Sequence, residues 1–273
     1  MEPYLVFMDI DGTLIDNHQN VSIRTKKVIQ DLQSQGVIFY IATGRMLSLA
    51  KLVQQKINDD VKIIASNGSV YQKGNHIHKE HLGWPALKEI FTITRNLGLS
   101  TNFFSTDKVY YTKEQPWLLS RLVRARVMSD KTGNRDFQSV NTLEKLHEAS
   151  EQIINGITIE RDNPEMLSQA RKELLNSDLL NISSSSSENI ELIPRRISKA
   201  TAVRAISNQY NIPVERTIAF GNDMNDLEML KAVGVGVAME NSPEKLKEDV
   251  NFVTDSNIND GIATFLEKYF DLR

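Results

Sequence analysis

The sequence predicts an α/β protein: a doubly wound, Rossmann-like parallel sheet with an α+β module inserted in it. Three observations lead there. Short apolar runs alternate with amphipathic segments over the first 65 residues, the pattern of parallel strands joined by crossover helices. From Trp84 the pattern changes to clustered strands with two or more helices, as in an α+β module. From Ser198 the strand–helix alternation resumes. The expected division is 1–83 and 190–273 for the parallel core and 84–189 for the insert.

The first element, Tyr4 to Met8, is an apolar run that reads as a fully buried strand. It delivers Asp9 and Asp11, one residue apart, and then Gly12, which can turn the chain. An amphipathic helix follows over Val21 to Leu32, with Ser22 as N-cap and Gly36 as its stop. Val37 to Ala42 is a second buried strand and ends in Thr43-Gly44-Arg45. A helix from Met46 to Ile57 leads to a third strand, Val61 to Ala65, and then to Ser66-Asn67-Gly68. Val70-Tyr71 and His76-Ile77-His78 flank a hairpin signal.

Within the insert, helices are expected from Leu87 to Ile93, around Trp117 to Met128 and from Asn163 to Leu175. Its expected strands are Thr101 to Ser105, Val109 to Thr112, Ile153 to Glu160, Leu179 to Ser185 and Ile190 to Ile193. The returning core carries a helix from Lys199 to about Tyr210, then a strand, Thr217 to Phe220, ending in Gly221-Asn222-Asp223-Met224-Asn225-Asp226. Helix Leu227–Ala232, strand Val233–Met239, helix Ser242–Asp249, strand Phe252-Val253 and helix Ile262–Tyr269 complete it.

With 273 residues, 40% hydrophobic and 25% charged, the chain has an ordinary globular composition and can bury a sizeable core. A net charge of −3 supplies no basic field for nucleic acid. The absence of cysteine excludes disulfides, thiolate metal sites and thiol nucleophiles, and fits a reducing compartment. The acidic strand end is reached within nine residues, which leaves no room for a signal peptide, and the longest apolar runs are strand-sized. A cytoplasmic protein that binds neither membrane nor nucleic acid is expected.

Asp9 and Asp11 are like charges in close quarters and call for a cation; a hard one with oxygen ligands, most simply Mg²⁺, is the natural partner. The same four residues, Asp-x-Asp-Gly, also open a Ca²⁺ loop, but Asn17 and Asn20 do not complete that pattern and the preceding residues are strand-like. Parallel strands put their carboxyl ends on one edge. Asp9 and Asp11, Thr43-Gly44, and Asn222 to Asp226 should therefore converge there, joined by Lys199 at a helix start. No Gly-x-Gly-x-x-Gly follows the first strand, which disfavours a dinucleotide-binding oxidoreductase.

In these residues the chain resembles the haloacid dehalogenase superfamily, specifically its Cof-type phosphatases. Asp9-Ile10-Asp11-Gly12-Thr13-Leu14 resembles the first motif, Thr43-Gly44-Arg45 the second, Lys199 the third and Gly221 to Asp226 the fourth; the insert resembles the family's larger cap. The resemblance implies Asp9 as nucleophile, forming an aspartyl-phosphate, and Asp11 as the group that protonates the leaving alcohol and later takes a proton from water. It implies phosphate binding by Lys199, Thr43, Asn225 and the amides of Ile10 and Gly44. Mg²⁺ would be held among Asp9, Asp11 and Asn222, with Asp223 or Asp226 as alternatives. The implied partner is a small phosphorylated metabolite such as a sugar phosphate, handled by a monomer or small homo-oligomer.

One departure matters. Relatives usually carry Asp directly after the glycine of the fourth motif, where this chain has Asn222, an amide that can ligate Mg²⁺ but brings no charge. Two rival readings follow: a sugar phosphomutase of the same superfamily, and a weakly catalytic phosphometabolite-binding regulator. Asp130-Lys131-Thr132-Gly133-Asn134 resembles the phosphorylated motif of cation pumps, but follows a charged helical stretch rather than a buried strand. His76, His78 and His81 read as exposed hairpin residues rather than a zinc site.

Overall fold

A computed structural model describes residues 2–74, 76–113, 137–184 and 186–272. In chain order the elements begin with β1 (Leu5–Met8), α1 (Ile23–Ser34), β2 (Ile38–Ala42), α2 (Leu47–Gln54), β3 (Lys62–Ala65), β4 (Val70–Lys73) and β5 (His76–Lys79). Next come α3 (Trp84–Asn96), β6 (Thr101–Phe104), β7 (Val109–Tyr111), β8 (Phe137–Ser139), α4 (Leu143–Ala149), β9 (Asn155–Ile159), α5 (Pro164–Leu175), β10 (Leu180–Ser183) and β11 (Asn189–Pro194). The chain closes with α6 (Lys199–Tyr210), β12 (Thr217–Gly221), α7 (Leu227–Lys231), β13 (Val235–Met239), α8 (Glu244–Glu248), β14 (Phe252–Thr254) and α9 (Gly261–Tyr269).

Two compact units result: Met1–Arg45 with Ala50–His78 and Ser198–Arg273, and Met46–Leu49 with Lys79–Ile197. In the first, the strand order is β14-β13-β12-β1-β2-β3-β4-β5. Every pairing from β14 to β3 is parallel, and β4 then runs antiparallel to β3. Alternate residues of each strand enter two separate cores, because strand side chains point to opposite faces. Val6, Met8, Phe39, Ile41 and Phe220 pack with Val28, Ile29 and Leu32 of α1 and Leu266 of α9. Leu5, Phe7, Tyr40 and Ala219 pack with Val203 and Ile206 of α6 and Met229 of α7. Burial on both faces explains why β1 and β2 are continuously apolar rather than alternating.

Local signals fix the helix ends. Ser22 accepts a hydrogen bond from the Thr25 amide at the start of α1, and Gly36 lies just beyond its end at φ +93°. The second unit is a six-stranded sheet, order β10-β11-β9-β6-β7-β8, antiparallel apart from β7 with β8. Leu87, Ile90 and Phe91 of α3 and Leu167 and Leu174 of α5 form a core with Phe103, Ile190 and Leu192 of that sheet. Strand β11 pairs with β9 and β10, so by pairing it belongs to this sheet, and the parallel segment resumes at Ser198.

The three-residue β8 and the short α4 were not expected from the sequence. Each offers too few apolar positions to show a period: a half-buried Phe137 in one, the buried Leu146 and Ala149 in the other. The helix expected around Trp117 to Met128 and the tract Asp130 to Asn134 lie outside the described residues. Among the described residues, no helix is long and apolar enough to cross a membrane.

Candidate active site

The site is set by where β1 lies. It runs parallel between β12 and β2, with Met8 opposite both Phe220 and Ile41. The Asp9 amide continues that ladder by donating to the Phe220 carbonyl at 3.0 Å, and the Thr43 amide donates to Ile64 at 2.9 Å. Asp9, Thr43 and Asn222 thus leave three neighbouring strands at one edge. Gly12, at φ +80°, lets the β1 loop close on the β12 loop, since a Cβ there would lie 2.5 Å from the Asn222 amide nitrogen. The Thr13 hydroxyl seals the contact by donating to Asn222 Oδ1 at 2.9 Å.

Lys199 opens α6 behind a capping box, in which Ser198 and Thr201 exchange side-chain-to-backbone bonds. Its side chain is 4% exposed, and Nζ donates to Asp9 Oδ1 at 2.6 Å and to Asp226 Oδ1 at 2.7 Å. The other oxygen of Asp226 accepts from the amides of Asn222 at 3.0 Å and Asp223 at 3.3 Å. Asp226 therefore closes its own loop and anchors Lys199 from a buried position. One ammonium serves two buried carboxylates. Burial and the Asp226 charge push the Asp9 carboxyl up to about 7, against the pull of Lys199. For Lys199, burial works against the ammonium, but Asp226 and Asp9 outweigh it and hold the group above its ordinary range.

Behind these groups lies an unusual turn. Ser66, Asn67 and Gly68 are successive left-handed residues, at φ +51°, +54° and +98°. The Ser66 amide donates to the Arg45 carbonyl at 2.9 Å and that of Asn67 to the Thr43 carbonyl at 3.0 Å. A Cβ on Gly68 would lie 2.2 Å from the Ser198 carbonyl oxygen. The turn thus braces the end of β2 and the start of α6 together. Gly68→Ala is expected to cost about 1–3 kcal/mol of stability, read as a lower denaturant midpoint, and to reduce turnover by displacing Lys199. An unchanged midpoint would show that the turn gives way freely.

The remaining expected residues fall as follows. Ile10 and Thr43 are buried, while Gly44 and Asn225 are partly exposed. Thr43 Oγ1 accepts from the Arg45 amide at 3.1 Å. The Asp11 carboxylate is not drawn to Lys199: it meets the Arg45 guanidinium, through Nε at 2.8 Å and Nη2 at 2.5 Å. Asp223 accepts from the Met224 amide at 2.7 Å. The sequence reading missed two features. It gave no role to Arg45, and it treated Asp226 only as an alternative metal ligand. Asp223 and Asp226, three apart before an apolar helix, are a capping-box signal that could have placed Asp226 facing inward.

The donors beside Asp9 suit a hard cation. Asp9, Asn222 and Asp223 offer oxygen ligands, and the two buried carboxylates Asp9 and Asp226 share the single ammonium of Lys199. Among the described residues no three His, Cys, Asp or Glu side chains form a ready cage. Mg²⁺ does not require one, because it keeps several waters and takes one or two carboxylates with substrate phosphate.

Residues 6–266 match the family model of the haloacid dehalogenase-like hydrolases. The chain belongs to that family. Among its relatives is the 5-amino-6-(5-phospho-D-ribitylamino)uracil phosphatase YitU of Bacillus subtilis, 29% identical over 99% of both chains. Phosphatase YwpJ of the same organism is 27% identical, over 96% of this chain and 98% of its own. The solved structure of a haloacid dehalogenase-like hydrolase from B. subtilis superposes with a TM-score of 0.83 at 26% identity, covering 97% of this chain and 99% of that one. This hydrolase therefore shares the fold and full length of phosphatases, and phosphorylated compounds are its substrates.

Proposed function

We propose that the protein is a Mg²⁺-dependent phosphatase that hydrolyses small phosphomonoesters through an aspartyl-phosphate on Asp9. The observation that carries this reading is the buried contact of Lys199 with Asp9 and Asp226 at the end of β1. It puts a carboxylate oxygen beside a fixed cation, where an anionic ester would need one.

In the first half-reaction an Asp9 oxygen attacks phosphorus in line. The bond from phosphorus to the ester oxygen breaks, and the leaving alkoxide takes the proton of Asp11. Water then attacks the acyl phosphate, gives a proton to Asp11, and releases inorganic phosphate with the Asp9 carboxylate restored. Lys199 balances the phosphoryl charge, with Thr43, Asn225 and the amides of Ile10 and Gly44 as donors to its oxygens. Asp9, Asn222 and Asp223 would hold Mg²⁺, which when bound screens the phosphate from the carboxylates around it. Asp11 and Asp226, both expected as possible ligands, are left out of that set: the first is paired with Arg45, and the second is buried against Lys199 and the amides of its own loop.

Two relatives are named as phosphatases of a phosphoribitylamino-uracil, at 29% and 27% identity. Their named substrate supports a primary alkyl phosphate on a sugar or polyol chain. A screen of phosphorylated sugars and polyols with Mg²⁺, scored for free phosphate, tests this. Isomerised sugar phosphate without free phosphate would replace the reading with a mutase, and no turnover of any ester would end it.

The metal assignment has its own expected result. Asn222→Asp should lower the Mg²⁺ concentration for half-maximal activity by on the order of tenfold, because a hard cation's affinity rises with ligand charge. Asp223→Asn should raise it. A titration unchanged in both variants would show that this loop does not contact the metal.

A further inference from the structure

We propose that Arg45 is a positioning residue: together with Gln19 it fixes the side chain of Asp11, a role that rests on the phosphatase reading above. The Asp11 side chain is 58% exposed, so without a partner it would spread over its staggered rotamers. Arg45 prevents that with a two-point fork, Nε on Oδ2 at 2.8 Å and Nη2 on Oδ1 at 2.5 Å. The fork is itself held at both ends. At its tip, Nη2 also donates to Gln19 Oε1 at 2.7 Å, and the carbonyl of Gln19 accepts from Lys56 Nζ at 2.5 Å. At its root, the Arg45 amide is bound by the Thr43 hydroxyl and its carbonyl by the Ser66 amide.

Gln19 adopts a left-handed backbone, φ +64°, to reach this position. An ion pair this exposed contributes little to stability, so the fold alone gives no reason for so many restraints. Proton transfer gives one. A general acid accelerates a step by about 10²–10⁴-fold only while it is aimed at the departing oxygen. Arg45 and Gln19 aim it, and neither is assigned contact with the reacting atoms.

The test compares first-turnover release of the leaving alcohol from glycerol phosphate and from p-nitrophenyl phosphate. The alkoxide of the first needs a proton to leave; nitrophenolate does not. In Arg45→Ala, release from glycerol phosphate should slow about tenfold or more, while release from p-nitrophenyl phosphate and KM for both esters stay within about threefold. Arg45→Lys should not restore the alkyl rate, because one ammonium cannot hold two oxygens in fixed geometry. Gln19→Ala should show the same split more weakly. Equal slowing of both esters, a raised KM, full rescue by lysine or an unslowed alkyl ester would each overturn the assignment. If the unaltered protein releases no phosphate, the phosphatase reading falls too; if it does, an unsplit loss removes only the role of Arg45.

Discussion

In Asp9→Asn, phosphate release is expected to fall by about 10⁴-fold or more while the protein stays folded and loses no stability. Asparagine keeps the shape and an oxygen for Lys199, but its amide cannot act as an anionic nucleophile. The stability half of the result follows from charge. The native cluster sets two buried carboxylates against one ammonium, at 2.6 and 2.7 Å. Removing the charge of Asp9 leaves Lys199 and Asp226 as a neutral pair. The Asp9 carboxyl is raised to about 7, so the fold disfavours its anion relative to the unfolded chain, and the substitution relieves that cost. Melting in the presence of a chelator should give a Tm equal to or above that of the unaltered protein. Near-normal turnover would refute the nucleophile; a clearly lower Tm would refute the charge argument.

Lys199→Ala is expected to strike both activity and fold. It removes the one cation, among the described residues, in contact with Asp9 and Asp226 and leaves both buried carboxylates without it. Breaking a buried pair from one side costs about 3–5 kcal/mol. Loss of a preorganised charge at the phosphoryl group should reduce kcat/KM by about 10²–10³-fold. The double variant Lys199→Ala, Asp226→Asn separates the two effects: it should regain part of the stability and none of the activity. A change in kcat/KM below about threefold, or ~0.7 kcal/mol, would reduce Lys199 to a structural cation.

Much of this was legible in the sequence because burial on both faces leaves a plain mark. The runs Leu5–Met8 and Ile38–Ala42 are apolar throughout, and each stops at a polar residue placed by the sheet. The start of α6 at Lys199 was equally open, since Ser198 and Thr201 spell a cap. What the sequence could not show was which acid Lys199 meets. Asp226 lies 27 positions away and is one of two acids in its loop; only the amides of Asn222 and Asp223, turning its second oxygen inward, decide the matter. The Arg45–Asp11 fork was hidden for a similar reason, because two residues 34 apart meet only through the β1–β2 pairing. In the insert, β8 and α4 are held by neighbours rather than by their own pattern, and such elements leave no local trace.

The position of β1 also bears on how the protein comes to be made. One edge of the strand is satisfied early, by β2, with Leu5 facing Ile38. Its other edge waits for β12, where Leu5 faces Thr217, and every residue of the insert emerges in between. During synthesis the nascent chain therefore carries four wholly apolar residues beside an unpaired row of amides and carbonyls, the arrangement that recruits foreign strands. Pairings so distant in sequence form slowly, because the intervening loop must close before any contact rewards it. The strand that ends at Asp9 thus stays open to aggregation until its late partner arrives. A chain interrupted before Thr217 would leave it as an adhesive edge.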